Sequence, residues 1–261
     1  MTQASFNYFD LHGKVALVTA AGRGIGLATS LALAQAGARL VVTDLDGAAA
    51  DAVAATITAL GGVALALTCD VGCDADLQRV VDLALQRFGR IDILVCNAGV
   101  MAHVGPLDSA SDLQYAQTLD INLRSAWKLT SLVTPGMALR RDGSIVLTSS
   151  IAGLRGNKAV GLYAISKAGI AALARNIAVE LGPFNVRANA VSPGLIGTEF
   201  VRGLTEQPDL AERRRAQTPL RRFGTAEEIA GTVLYLVSSA GAFTTGQNLV
   251  VDGGTSISDG S

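Results

Sequence analysis

Val15-Ala-Leu-Val-Thr-Ala-Ala-Gly-Arg-Gly-Ile-Gly26 is the stretch that decides the fold. Its first four residues are apolar without alternation, the mark of a strand covered on both faces, as in a parallel sheet under helices. Gly22, Gly24 and Gly26 follow at once. They allow a tight turn and let a phosphate approach the backbone N–H groups that open a helix. Residues 24–36 take helical spacing, with Ala28, Ala32 and Ala36 as one small face for close packing on a sheet. A second apolar run at 39–43 ends in Asp44. Strand, glycine turn, helix, strand and acid form the layout of a dinucleotide-binding βαβ unit, in which the acid accepts the adenosine ribose hydroxyls.

The same alternation continues outward. Strand-like runs at 63–68, 91–96, 144–148, 186–191 and 248–251 are separated by helical stretches. The expected fold is α/β: a single Rossmann-like, doubly wound parallel sheet with helices on both faces, spanning residues 1–261 as one domain. The exception is 195–223, polar, arginine-rich and carrying Pro208 and Pro219, which reads as a lid over a substrate site.

Composition narrows the partners. A net charge of −1 offers no basic field for nucleic acid or anionic lipid. No charge-free apolar run reaches the roughly 18 residues of a membrane span. The first ten residues lack a basic region followed by an apolar stretch, so no signal peptide is expected. Cys69, Cys73 and Cys96 form no even framework and read as reduced thiols in a cytoplasmic protein. With only His12 and His103 to supply imidazole, no metal site is expected.

The chemistry gathers at Gly161-Leu-Tyr-Ala-Ile-Ser-Lys167. On a helix, Tyr163 and Lys167 share a face, so the ammonium would lie beside the phenol and favour its ionised form. The pair reads as a tuned general acid/base. Ser150, thirteen residues upstream of Tyr163, would hold the reacting oxygen. Singly, each residue has an ordinary structural explanation; jointly they point to a site. Competing nucleophile patterns are weak. Ser125-Ala-Trp-Lys128 fits S-x-x-K with no K-T-G elsewhere, and no G-x-S-x-G occurs.

These motifs resemble the short-chain dehydrogenase/reductase family along almost the whole chain. The family's T-G-x-x-x-G-x-G matches Thr19, Gly24 and Gly26, with Ala20 standing where the family has its first glycine. Asp70, Asn97-Ala98-Gly99, Asn122, Ser150, Tyr163, Lys167, Pro193-Gly194, Thr198 and Val251-Asp-Gly-Gly254 follow in the family's order, with Cys96 in place of a usual asparagine. The resemblance implies hydride transfer between a nicotinamide and a carbon bearing a hydroxyl. It implies Asn122, Ser150, Tyr163 and Lys167 as catalytic residues, with Asn122 anchoring a water path to Lys167. It places the cofactor against Ala20, Arg23, Gly24, Ile25, Gly26, Asp44, Asp70, Val71, Asn97, Ala98, Gly99, Tyr163, Lys167, Pro193, Gly194, Ile196 and Thr198. A homotetramer is implied as well.

Asp44 would repel a 2′-phosphate and so favours NAD over NADP. Arg23 argues the other way, although Asp44 itself could hold it. The segments flanking the catalytic residues carry His103, Arg155, Asn157 and Arg202, besides Ser150 and Tyr163. They suggest a small hydroxylated substrate such as a sugar or polyol, with or without an anionic group. The leading expectation is an NAD-dependent alcohol or sugar dehydrogenase. The alternatives are an NADPH-dependent 3-oxoacyl ketoreductase and a non-catalytic NAD-binding regulatory protein.

Overall fold

Each apolar run becomes a strand because two helical faces and neighbouring strands are what can cover it. The computed structural model describes residues 7–258. Residues 1–6 and 259–261 lie outside the described residues; the expected domain 1–261 includes them, and the reading of the N-terminus rests partly on them. The strands are β1 Val15–Val18, β2 Arg39–Asp44, β3 Ala64–Thr68, β4 Ile93–Cys96, β5 Gly143–Thr148, β6 Val186–Pro193 and β7 Asn248–Val251. They form one parallel sheet in the order β3-β2-β1-β4-β5-β6-β7. The order reverses between β1 and β4, which opens a crevice at their carboxyl ends.

Alternate residues of each strand feed opposite cores. Val15, Leu17, Leu94 and Ile145 point into one, with α3 (Asp74–Phe88), α5 (Ser125–Arg140) and α6 (Gly161–Leu181). Ala16, Val18, Ile93 and Val146 point into the other, with α1 (Gly24–Gln35), α2 (Gly47–Ala59) and α9 (Ala226–Val237). α4 (Asp112–Leu119) leads into α5 through a π-helical turn at Asp120–Arg124. Such turns recur at functional sites. By length and composition the segment Gly161–Phe184 could cross a bilayer, but α6 packs eight buried residues into the core.

One packing expectation changes. The buried positions of α1 are Gly26, Ala28, Thr29, Ser30 and Leu33, while Ala32 and Ala36 are only partly covered. Helical periodicity puts Gly26 against the turn before the helix, and α9 packs alongside α1. The small residues therefore serve a helix–helix approach as well as the sheet.

Candidate active site

The carboxyl ends of β1, β2, β4, β5 and β6 meet around a cavity of about 820 Å³. On one side stand Ala20, Arg23, Gly24, Ile25 and Asp44, on the floor Asn97, Gly99 and Thr148. Pro193, Gly194, Ile196 and Thr198 close the far side, and Ser150, Tyr163 and Lys167 face the interior.

The turn after β1 is built by local chemistry. Gly24 adopts φ +53°, and Ala20 adopts φ +48°, a left-handed conformation that glycine takes without steric cost. A Cβ on Gly26 would collide with the Ala20 carbonyl oxygen and the Asn97 amide. The Asn97 side chain fixes the turn by donating to Thr19 O at 3.3 Å and Ala20 O at 3.1 Å. Thr19 Oγ1 in turn accepts from Asn97 N and Ala98 N. The turn is thus held open over the start of α1, where an anion is welcome.

Asp44 is 6% exposed and accepts from Gly22 N at 2.8 Å and Asp46 N at 3.0 Å, one bond on each oxygen. A carboxylate has about four acceptor positions, so each oxygen keeps one for a ribose hydroxyl. Arg23 is exposed and pairs with Glu199 at 3.3 Å, which corrects the expectation that Asp44 holds it. Glu199 also takes Arg202 at 3.0 Å.

Tyr163 and Lys167 occupy one face of α6, with Lys167 Nζ 5.6 Å from the phenol ring centre. The ammonium donates to Thr148 O at 2.7 Å rather than to the phenol. Lys167 is 2% exposed, and burial pulls its ammonium down to about 8. Cys96 lies close by, but burial pushes its thiol up to about 12, so it remains a neutral neighbour. Tyr163 moves the other way from the sequence expectation. Burial pushes the phenol up to about 12, and a hydrogen bond from Ser150 only partly opposes this. Desolvation outweighs the nearby cation because the cation is itself desolvated and aimed elsewhere.

Ser150 caps the turn Ile151–Leu154, accepting from Ala152 N at 3.1 Å, and stays available to Tyr163. Ser149 donates to Lys167 O at 2.7 Å and is committed to α6. Asn122, in the π-helical turn, does not line the cavity. Its amide donates to Val100 O and Ser166 Oγ, both at 2.9 Å, and its carbonyl accepts from Val100 N at 2.7 Å. It is a positioning residue: it fixes the chain after Gly99 against α6, behind Lys167. Both amide hydrogens are spent there.

Other expected contacts sort themselves plainly. Arg155 and Asn157 line the cavity. His103 does not; it is buried, with Nε2 against Pro106 O at 2.9 Å and Ser109 Oγ at 3.3 Å. Arg202 does not either, being turned to Glu199 and Glu206. Both are corrections to the substrate set, and in each case a local partner captures the side chain. Gly26 and Ala98 sit behind the lining. Asp70 and Val71 lie beyond β3 and off the cavity wall, where Asp70 accepts from Gly72 N. Ser125 and Lys128 are engaged with Ile121 O and Asp74 and play no part here.

The excursion after β6 folds into α7 (Arg202–Thr205) and α8 (Pro208–Ala216) and roofs the cavity. Phe200 sits 6.1 Å from the Tyr163 ring. Met101, Val104, Ile151, Val160, Val201 and Leu210 make the substrate half far more apolar than the sequence reading expected. Sequence reasoning missed Phe200, Leu210 and Arg214. The signal for α8 was present: Gln207, Leu210, Arg214 and Gln217, all cavity-lining, recur at helical spacing.

This geometry, a nucleotide cradle beside a Ser–Tyr–Lys cluster at a topological switch point, defines a nicotinamide-dependent oxidoreductase fold. The chain belongs to the short-chain dehydrogenase/reductase family: a family model described as enoyl-(acyl carrier protein) reductase matches residues 19–256. It is 40% identical to bovine dehydrogenase/reductase SDR family member 4 over 94% of this chain and 88% of that protein. It is 36% identical to a 3-oxoacyl-[acyl-carrier-protein] reductase of Thermotoga maritima, over 94% of this chain and 98% of the relative. Among solved structures, it superposes with a TM-score of 0.92 on a 7α-hydroxysteroid dehydrogenase complexed with NADH and 7-oxo glycochenodeoxycholic acid. Identity there is 36%, covering 95% of this chain and 97% of the other.

Proposed function

We propose that this protein interconverts a secondary alcohol and its ketone with NAD(H), using Tyr163 as the proton donor and acceptor. The observation that carries the cofactor choice is Asp44, a buried carboxylate with one free acceptor position on each oxygen. Two ribose hydroxyls satisfy it, whereas a 2′-phosphate would sit against a buried negative charge. Arg23, the cation that could answer such a phosphate, is already paired with Glu199. When bound, the nicotinamide supplies or takes the hydride.

The chain's own residues manage the proton and the oxygen. Ser150 orients the substrate oxygen toward the phenol. Tyr163 gives that oxygen its proton in reduction and removes it in oxidation, a role worth about 10²–10⁴-fold in rate. Lys167 places a positive charge behind the phenol. Burial, which holds the phenol at about 12, keeps it protonated near neutral pH, the form that donates. The apolar chamber favours a substrate with a hydrophobic body over the bare polyol the sequence suggested. The exposed Trp127 of α5 and Ile165 and Val179 of α6 support assembly into a homo-oligomer, which light scattering would weigh.

The test is nicotinamide absorbance with a panel of cyclic and linear ketones, each with NADH and with NADPH. Faster turnover with NADH, lost to indifference in Asp44→Ala, supports the reading. Turnover with NADPH alone would overturn it in favour of a ketoreductase in which Arg23 leaves Glu199 for the phosphate.

A further inference from the structure

Among the described residues, two arginines on the cavity wall have no acid as partner. Arg155 donates only a long bond of 3.4 Å to Thr255 O, and Arg214 of α8, half-buried, has no side-chain partner among the described residues. Arg213 and Arg221 of 195–223 also have no acid among the described residues, but neither lines the cavity. Arg202, Arg215 and Arg222 of the same segment each hold a glutamate. The two carboxylates that do line the cavity, Asp44 and Glu199, are committed to the nucleotide turn and to Arg23 and Arg202.

The backbone segments that carry the two arginines are bridged by hydrogen bonds. Arg155 reaches Thr255 O, Thr255 Oγ1 meets Thr218 Oγ1 at 3.1 Å, and Thr218 Oγ1 donates to Arg214 O at 3.0 Å. Thr255 and Thr218 are both buried, so this bridge is part of the folded core of the lid. Met101, Ile151, Phe200 and Leu210 are among the apolar residues that share the wall with these two cations and with Tyr163. A cavity with much apolar wall and two acid-free cations matches a ligand of the same pattern. Guanidinium groups lacking a protein carboxylate are suited to bind one bidentately.

We infer that the substrate is an apolar ketone or secondary alcohol that also carries a carboxylate, and that Arg155 and Arg214 hold that carboxylate. This rests on the oxidoreductase reading above and adds the chemical class of the substrate. The reaction itself is unaltered: the ketone carbon gains a hydride from NADH, its oxygen gains the Tyr163 proton, and the carboxylate takes no part.

The test uses the full chain with NADH and a series of methyl-ketone carboxylic acids of increasing length, each paired with its methyl ester. At the best chain length the acid should exceed its ester about tenfold in kcat/KM, chiefly through KM, as expected for a charge-assisted bond. In Arg214→Met and Arg155→Met that acid-to-ester ratio should collapse toward unity, and Arg214→Lys should restore part of it. Calorimetric binding of the same acids to the NADH complex gives a readout independent of turnover. Equal kcat/KM and equal binding for acid and ester at every length would overturn the inference, as would variants that weaken both alike. Turnover of the esters without any acid preference sinks this inference and leaves the oxidoreductase reading standing. Failure of every ketone with either cofactor would sink that reading instead.

Discussion

The two edges of the one sheet are built on opposite principles. At the amino edge, where β1, β4 and β5 begin, Asp92 is 1% exposed and thoroughly answered. It takes Arg90 Nε at 2.7 Å and Val15 N at 2.9 Å, with Arg140 at 3.5 Å. Asp142 adds Lys14 at 2.6 Å and Arg90 at 3.2 Å, closing a network that ties three strand starts together. At the carboxyl edge the buried charges are Lys167 and Asp44, and no opposite charge pairs with either among the described residues. Ala20 sits there in a left-handed turn, and Arg155 and Arg214 stand without acids among the same residues. One edge spends its charges on the fold. The other keeps them unmet, as a site awaiting a nucleotide and a substrate must.

That contrast can be broken by mutation. Asp92→Ala should destabilise the protein by about 3 kcal/mol, because it strands Val15 N–H and two arginines, one of which retains Asp142. Denaturant unfolding would show it, while kcat of the folded fraction stays close to wild type. A loss of only a few tenths would mean the amino edge is not the structural one.

Lys167→Met should do the reverse, stabilising the fold and removing activity. Holding the ammonium at about 8 against an ordinary 10.5 costs about 3 kcal/mol near neutral pH, and the lost bond to Thr148 O returns part of that. The net gain should be about 1–2 kcal/mol. Between pH 8 and 10.5 the unfolded chain holds more protons at this group than the folded one, so wild-type stability rises with pH there. The advantage of the variant should therefore be full below pH 8 and fade toward 10.5. Melting temperatures of both proteins across that range would check it, and a gap that widens with pH would contradict the assignment.

The phenol makes a direction-dependent prediction. Ketone reduction uses the protonated form, so the phenol imposes no loss of rate from neutral pH to well above it, and any fall above pH 8 belongs to Lys167. Alcohol oxidation needs the ionised form and should climb with pH toward about 12 as far as the fold survives. Oxidation that peaks at neutral pH would show that bound cofactor overrides the burial of Tyr163. The smallest effect belongs to Ala20→Gly. Relief of a left-handed alanine should add about 1 kcal/mol to stability and tighten NADH binding by less than tenfold, both readable in one thermal-shift titration.

Most of the fold was legible because short apolar runs bounded by turn residues, as at 15–18 and 144–148, alternate with longer helical stretches. The Ser150, Tyr163 and Lys167 cluster was legible because a helix converts a spacing of four into a shared face. His103 and Arg202 misled because nothing in a sequence says that Pro106 O or Glu199 will claim them first. The tuning of the phenol was misjudged for a related reason. Spacing shows that Lys167 is near Tyr163, but only the folded chain shows that both are desolvated and that the ammonium turns to Thr148 O.

The most direct test is Tyr163→Phe, followed by NADH oxidation with a ketone that the wild type reduces and by NADH binding to the same preparation. The account predicts a loss of about 10²–10⁴-fold in kcat with cofactor affinity and melting temperature retained. A variant that turns over at the wild-type rate would show that the proton comes from another group and that the carboxyl edge has been misread.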